Sequence, residues 1–455
     1  MLLRFSIENH RSFRGPSELS LVSTSRKDAP TWRHPSRHAK HGVLPTLGLW
    51  GANGSGKSNI LGALLEFQTL VRDSFIKIGP NEPLPWSPWR HRRGPEDPPT
   101  RMDIDLLMEA DIRIHYGFKF TSKGFVEEWM YRWVGSRRQI LYERSLLEDN
   151  DDPWYFGSSL TGARSQIARA TRNNSLFLST AAQHNHPILL PIFSAIVDKI
   201  VPEHGISLHG YPLFRADNPL LADSFRPALT KLLQAADLGV ADLKIRPHRH
   251  QPVNLPGEAE AIFKPEFLAE LKAHKIQSEP ENTPLQEIHL RHGTAEDSWD
   301  LPPQDESRGT HILLARLADF LPVLRSGNTL VVDELDTSLH PDLCALLVGL
   351  FTDQRSNPHG AQLIFSTHDR GLLRHLRTDE VVLVDKERDG ESQLVPSSDY
   401  RGLRTRDDLR RAHEEGQLGG VPVLGDLIGL FAAGLIGGLI GFSAASAQSA
   451  LHEKK

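Results

Sequence analysis

At 455 residues the chain has room for two or three domains, or for one large domain with insertions. Its 39% hydrophobic and 24% charged content is that of an ordinary globular protein, and a net charge of −5 excludes any global attraction to nucleic acid, so DNA contact would need local basic patches. One cysteine, Cys344, excludes a disulfide framework and fits a reducing cytosol.

The opening "MLLRFSIENHRSF" carries charge within its first apolar run and no cleavage site, so it reads as a strand and not as a signal peptide. Residues 2–22 alternate like two strands joined around Gly15-Pro16. A basic, histidine-bearing stretch follows, read as loop, and then the short apolar run "LPTLGLW", the segment "GANGSGKSNI" and the helical pattern "LGALLEFQTLV". Residues 78–101, rich in Pro, Trp and Arg, read as loop. "RMDIDLLME", "DIRIHYGFKF" and "FVEEWMYRWV" predict a strand meander. The stretch 160–285 is mostly helical in pattern, without the sustained heptads of a coiled-coil arm. From 286 onward short strands alternate with helices, which predicts a parallel sheet with helices on its faces. There is no internal repeat of solenoid length.

Two motifs carry chemistry. Gly51 to Ser58, "GANGSGKS", fits G-x-x-x-x-G-K-[ST] between an apolar strand and a helix. Its glycines let backbone N–H groups curl around phosphates, Lys57 adds a point charge, Ser58 offers a hydroxyl to Mg²⁺, and the following helix turns its positive end to the anion. Gly51, Asn53, Gly54, Ser55, Gly56 and Asn59 complete the expected cradle. The second motif, "TLVVDELDTSLHP", is an apolar strand ending in Asp333, placed for the Mg²⁺ shell, and Glu334, placed to polarise an attacking water.

The strand ending in Asp-Glu and followed by "LDTSLHP" is similar to the Walker B motif and D-loop of ABC-type ATPases of the RecF, SMC and OLD group. "IFSTHD" resembles their switch-histidine strand, with His368 in the γ-phosphate-sensing position, and "ESRGT" (Glu306 to Thr310) looks like a shortened ABC signature. "FSIENHRSF" resembles the N-terminal strand that passes near the adenine, and all four elements stand in the ABC order. Within the group, "RNNSLFLSTAAQHN", "SRGTHILLARL", "DELDTSLHPDL" and "EEGQLGGVPVL" resemble compact prokaryotic ATPases of abortive-infection and Septu-type anti-phage systems.

The resemblance implies an α/β P-loop NTPase of the ABC head type. The expected division is 1–75 for an N-terminal ATPase lobe, 76–159 for its loop and meander, 160–285 for a helical insertion, 286–424 for a C-terminal ATPase lobe and 425–455 for an appended hydrophobic tail helix. It also implies a homodimer or larger assembly in which two subunits sandwich ATP. Lys57, Ser58, Asp333 and Glu334 of one copy would face Ser307, Gly309 and Asp336 of the other, with Ser307 reaching the γ-phosphate. Lys57, Glu334 and His368 are the expected catalytic residues, and Ser58 and Asp333 the Mg²⁺ ligands.

The chain departs from that pattern in two places. No Q-loop glutamine stands out, since Gln68 falls on the helix after the phosphate loop. "VVLVDKERDG" has no second acidic pair where OLD-type enzymes carry a Toprim nuclease, so no nuclease is expected.

Three basic clusters, Arg26 to His41, Arg90 to Arg93 and Arg246 to His250, are read as solvated segments, although Trp86 and Trp89 beside the second could stack on bases. His34, His38 and His41 have metal-like spacing without acidic or cysteine neighbours and are read as chance. "RTRDDLRRAHEE" is read as a solvated charged helix.

The tail has no Asp, Glu, Lys or Arg from Leu427 to His452. A helix of that length reaches about 39 Å, enough for a bilayer core of roughly 30 Å. Gly429, Ala433, Gly437, Gly441 and Ala445 form a small-residue stripe suited to close helix pairing. Three readings stand: insertion of residues 427–451 in the inner membrane, packing of several copies in a soluble oligomer, or a core or lid helix of one subunit.

The function expected is a cytoplasmic ATP-binding and ATP-hydrolysing switch of an anti-phage system. DNA or a phage component would be its trigger, and a partner effector or the tail itself its toxic output. The alternatives are a RecF-like DNA-maintenance ATPase with a soluble oligomerisation tail and, against the degenerate signature, a transporter subunit.

Overall fold

The computed structural model describes residues 1–24, 33–89, 98–146, 152–203, 226–236, 239–247, 286–294, 296–302, 305–400, 409–412 and 415. The tail, the second basic cluster and most of the 204–285 stretch lie outside the described residues.

In chain order the first half comprises β1 (Leu2–Glu8), β2 (Ser17–Ser20), β3 (His34–Ser36), β4 (Ala39–Val43), β5 (Thr46–Trp50), α1 (Lys57–Asp73), β6 (Thr100–Met108), β7 (Ile112–Thr121), β8 (Gly124–Val134), β9 (Arg137–Ser145), β10 (Trp154–Phe156), α2 (Arg164–Ala170), α3 (Phe177–Gln183), α4 (Leu189–Val197) and β11 (Ile200–Pro202). The second half adds α5 (Arg226–Ala235), β12 (Val240–Pro247), β13 (Gln286–Gly293), β14 (Ser298–Leu301), α6 (Arg308–Ser326), β15 (Thr329–Val332), α7 (Pro341–Thr352), β16 (Gln362–Ser366), β17 (Val381–Lys386) and β18 (Ser392–Pro396).

The expected meander is present. β6 to β9 pair antiparallel in sequence, and β1 and β2 extend them into a seven-stranded sheet of order β10-β9-β8-β7-β6-β1-β2. The expected parallel sheet is also present, in the order β11-β15-β16-β5-β17-β18, with only β18 antiparallel. A strand buried on both faces should be apolar through its middle, and β15, β16 and β17 are, with Thr329, Gln362, Ser366, Asp385 and Lys386 at their ends. Leu47 and Leu49 of β5, Val331 of β15, Ile364 of β16 and Val382 and Val384 of β17 enter one core with α1, α3, α4 and the antiparallel sheet. The residues between them, Leu330, Val332, Leu363, Phe365, Val381 and Leu383, enter a second core with α5, α6, α7 and the β12-β13-β14 sheet.

α1 shows why the first core closes. Ile60, Leu61, Leu64, Phe67 and Val71 recur at three- and four-residue spacing and are buried. Phe67 stacks on Phe118 of the antiparallel sheet at 5.0 Å and meets Phe5 edge-on at 5.8 Å. Gln68 is buried too, its amide donating to the carbonyls of Val197 and Ile200, both at 2.6 Å. It ties α1 to β11 and has a structural role.

Three expectations need correction. The stretch 160–285 does not form one helical insertion. Residues 160–202 belong to the ATPase body, because α3 and α4 lie in the first core beside α1 and β11 is an edge strand of the parallel sheet. Residues 240–247 are a strand paired with β13. The stretch 34–43 is a β3-β4 hairpin and not a loop. Leu409 and Ala412 of the supposedly solvated charged helix are buried in the second core.

Replacing Phe67 with Ala should cost about 3–5 kcal/mol of unfolding free energy, measured by denaturant titration, through the cavity it leaves. Glu380, fully buried, accepts from Thr46 Oγ1 at 3.0 Å and from the Arg377 N–H at 2.8 Å, and burial raises its carboxyl from 4.5 to about 7. A carboxyl raised in the folded state contributes stability below its unfolded pKa, and that contribution is lost as pH rises through the folded value. The melting temperature of Glu380→Gln should therefore improve relative to wild type between about pH 5 and pH 8. Parallel pH curves for the two proteins would contradict this assignment.

Candidate nucleotide-binding and phosphoryl-transfer site

Parallel pairing places three chain segments on one edge. β15, β16 and β5 are neighbours running the same way, so the residues after each emerge side by side. After β5 comes the phosphate loop, after β15 Asp333 and Glu334, and after β16 His368. The C-terminal edge of an open parallel sheet is where ligands of such folds bind.

Two glycines of the loop are required by space and backbone. A Cβ at Gly51 would lie 2.4 Å from the Val384 carbonyl, and Gly56 has a φ of 120°, which disfavours L side chains. Gly56 caps α1, whose first turn contains no acidic side chain. The loop is braced from outside by the β17-β18 hairpin. Ser392 Oγ donates to the Ser55 carbonyl at 2.5 Å, Lys386 Nζ donates to the Gly54 carbonyl at 3.1 Å, and the Ser392 N–H donates to the Ser12 carbonyl at 2.7 Å. Asn59 donates to Ser12 Oγ at 2.8 Å, which ties the N-terminal strand region to the start of α1.

Lys57 is buried, and its ammonium donates to the carbonyls of Gly51 at 2.7 Å and Ala52 at 3.2 Å. Burial lowers its pKa, while the nearby carboxylates of Asp333, Glu334 and Asp336 act in the opposite direction. The cation thus folds back onto its own loop, with three carboxylates within electrostatic reach.

The Walker B acids are held by backbone geometry and one serine. Glu334 adopts a left-handed φ of 52°, uncommon for a non-glycine residue. Its N–H donates to Ser366 Oγ at 2.8 Å, and the same hydroxyl donates to Asp333 Oδ1 at 2.5 Å. Ser366, at the end of β16, therefore fixes both acids at once. Thr337 Oγ1 donates to Glu334 Oε2 at 3.2 Å. The Asp336 carboxylate accepts from the His368 N–H at 3.2 and 3.3 Å, linking the D-loop to the switch histidine. Ser58, Asp333, Glu334 and His368 are all exposed, so this edge is open.

Ser58 and Asp333 line one cleft of about 350 Å³ between α1 and β15, together with Glu203. The Ser58 hydroxyl and the Asp333 carboxylate are of the hard oxygen type that Mg²⁺ takes alongside phosphate, whereas the Glu203 carboxylate is paired with Arg316. Among the described residues no group of three His, Cys, Asp or Glu side chains is placed to hold a metal by itself.

The signature stretch is elsewhere. Ser307 caps α6, its Oγ accepting from the Thr310 N–H at 3.1 Å, and it is exposed. The nearest neighbours of a Cβ built at Gly309 are Ser307 Oγ at 3.8 Å and the Ser338 carbonyl at 3.9 Å. Among the described residues neither makes a hydrogen bond to the phosphate loop. The structure thus brings together Lys57, Ser58, Asp333, Glu334, Asp336 and His368, while Gly309 borders Ser338 in the loop after Asp336.

Trp86 is withdrawn as a base-stacking candidate. It is buried, with its indole N–H on Thr100 Oγ1 at 3.1 Å. Trp89 is covered by the Arg14 guanidinium, 5.2 Å from its ring. Arg246 of the third basic cluster is ion-paired to Asp300.

The site contains residues that sequence reasoning passed over: Ser366, Glu203 and Arg316. Ser366 lies within the quoted "IFSTHD". Glu203 follows the short apolar strand "IVP" as Asp333 follows "TLVV", the only sequence signal it offers.

Comparison with known proteins adds a family. The structure of an Smc head bound to the C-terminal winged-helix domain of ScpA aligns at 14% identity over 87% of this chain and 96% of that one, with a TM-score of 0.38. The recombination mediator RecF of the RecFOR pathway, in its ATP-bound structure, aligns at 10% identity over 87% of this chain and 99% of that one, with a TM-score of 0.33. No curated protein matches the chain. The family model described as "AAA domain, putative AbiEii toxin, Type IV TA system" matches residues 47–374, well over half of the chain, in agreement with the expected P-loop ATPase of abortive-infection type. Spanning the phosphate loop, the Walker B acids and the switch histidine in one continuous match, the chain belongs to this AbiEii-type AAA-domain family.

Proposed function

We propose that the protein is an Mg²⁺-dependent ATPase whose two copies close on ATP, serving as the switch of an anti-phage, abortive-infection system. One observation carries the reading. The phosphate loop, Asp333, Glu334 and His368 share one sheet edge on which Ser58, both acids and His368 are exposed, while Ser307, exposed at the start of α6, makes no hydrogen bond to the phosphate loop among the described residues. A half-site of this kind is completed by a second copy offering its Ser307 and Gly309 to the γ-phosphate.

The division of labour follows from the geometry. The N-terminal end of α1 and the loop N–H groups receive the phosphates. Lys57 exchanges its carbonyl partners for phosphate oxygens. Ser58 and Asp333 would hold Mg²⁺, which when bound neutralises phosphate charge during transfer. Glu334, its backbone fixed by Ser366, holds the water proton. His368, tethered to Asp336, reports the γ-phosphate to the D-loop. Hydrolysis would then release the pair, which makes a switch.

The family's description as a putative toxin of a toxin–antitoxin system supports a toxic output. We place that output in a partner effector or in the 427–451 tail acting at the inner membrane of an otherwise cytoplasmic protein, with DNA or a phage component as the trigger. Among the described residues no helix is long and apolar enough to cross a membrane, and the tail lies outside them.

Glu334→Gln should lower kcat for ATP hydrolysis by about 10²–10³-fold with ATP affinity retained, since a positioned base contributes on that order. Lys57→Ala should weaken ATP binding itself, by at least about tenfold for a lost charge-assisted contact to phosphate. Equal turnover by wild type and both variants would remove the ATPase reading. In cells, growth arrest by the full chain should need both Lys57 and the tail. Absence of arrest under any trigger, together with DNA-stimulated hydrolysis, would favour the RecF-like maintenance role instead.

A further inference from the structure

Arg316 lies on α6, within the helix that the signature stretch begins, and is only 1% exposed. A guanidinium cannot lose its proton in a protein, so a buried one must find anionic or carbonyl partners. Arg316 has two, on different segments. Its Nη2 donates to the Glu334 main-chain carbonyl at 3.1 Å. Its Nη1 forms an ion pair with the Glu203 carboxylate. Burial raises the Glu203 pKa, and Arg316 opposes that rise. Glu203 leaves β11 on the same edge as Asp333 and lines the same cleft as Ser58 and Asp333.

These contacts converge on the one strained residue of the catalytic set. Glu334 needs its left-handed φ of 52° for its side chain to leave the strand where it does, and such backbone persists only when its surroundings over-determine it. Ser366 holds its N–H from the β16 side, and Arg316 holds its C=O from the α6 side. Glu203 fixes the guanidinium that does so. The planar fork of arginine can serve a carbonyl and a carboxylate in fixed directions, which the single ammonium of lysine cannot reproduce.

We infer that Arg316 and Glu203 form a positioning pair for Glu334, holding the backbone of the water-polarising carboxylate and tying its orientation to the signature helix α6. The inference rests on the ATPase reading given above and deepens it. Each side chain of the pair acts through Glu334. A shift of α6, such as a second subunit docking at Ser307 would impose, reaches Glu334 through this guanidinium.

The test uses the full chain with Arg316→Lys, Glu203→Gln and the charge-free pair Arg316→Met/Glu203→Met, the last leaving no buried charge without a partner. Melting temperature, affinity for a fluorescent ATP analogue, KM and kcat are measured for each, alone and in the Glu334→Gln background. Arg316→Lys and the double variant should remain folded and keep nucleotide affinity within about threefold. Their kcat should fall by about 10²-fold, the scale of a misplaced catalytic group. In the Glu334→Gln background the same changes should add little, because they act through that side chain. A folded Arg316→Lys or double variant with kcat within about threefold of wild type overturns the inference, as does a full further loss in the Glu334→Gln background. Failure of the ATPase reading looks different: wild type would then hydrolyse ATP no faster than Lys57→Ala.

Discussion

The parallel pairing of β15, β16 and β5 is the constraint on which the rest of the molecule depends. Three neighbouring strands running one way must release their chains at one edge, and the residues placed just after them are the phosphate loop from Gly51 to Ser58, the acids Asp333 and Glu334, and His368. Both faces of that sheet have to be covered, and the alternation of its apolar residues between two cores covers them. One consequence is electrostatic. Three carboxylates lie within electrostatic reach of the buried Lys57, whose ammonium bonds two carbonyls of its own loop. In the proposed reading such a site receives an anion and a divalent cation together, since either alone would leave a charge poorly matched.

Much of this was legible in the sequence, for physical reasons that can be named. The phosphate loop is legible because its glycines answer a local steric demand, such as the approach of the Val384 carbonyl to Gly51, and a local demand leaves a local signature. The Walker B strand is legible because a doubly buried strand is apolar without interruption until its catalytic end. The meander is legible because β6 to β9 pair with their neighbours in sequence. What escaped depends on distant partners. Glu203 and Arg316 are ordinary residues of a loop and a helix until folding pairs them across more than a hundred positions. Trp86 looked like a stacking platform because its sequence neighbours are basic and proline-rich, whereas its ring is spent in the core against β6. The helical pattern of 160–202 was visible, but its assignment to an insertion failed because amphipathicity states that a face is buried without stating against what.

The contacts around Glu334 explain how one edge could serve as a switch. Its amide belongs to β16 through Ser366, its carbonyl to α6 through Arg316, and its carboxylate to the D-loop through Thr337. Asp336, in turn, holds the backbone of His368. A movement of any of these segments is felt at the residue proposed to polarise water, so catalytic competence and the arrangement of the surrounding elements are coupled. A second subunit docking on α6, as proposed, would act upon that coupling.

The central claim is that the open edge is half of a site closed by a second copy around the γ-phosphate. Sedimentation velocity of Glu334→Gln with Mg²⁺, in ATP, in ADP and without nucleotide, tests it most directly. The account predicts an assembly of at least twice the mass in ATP alone, dispersed in ADP. The same mass in all three conditions would contradict it.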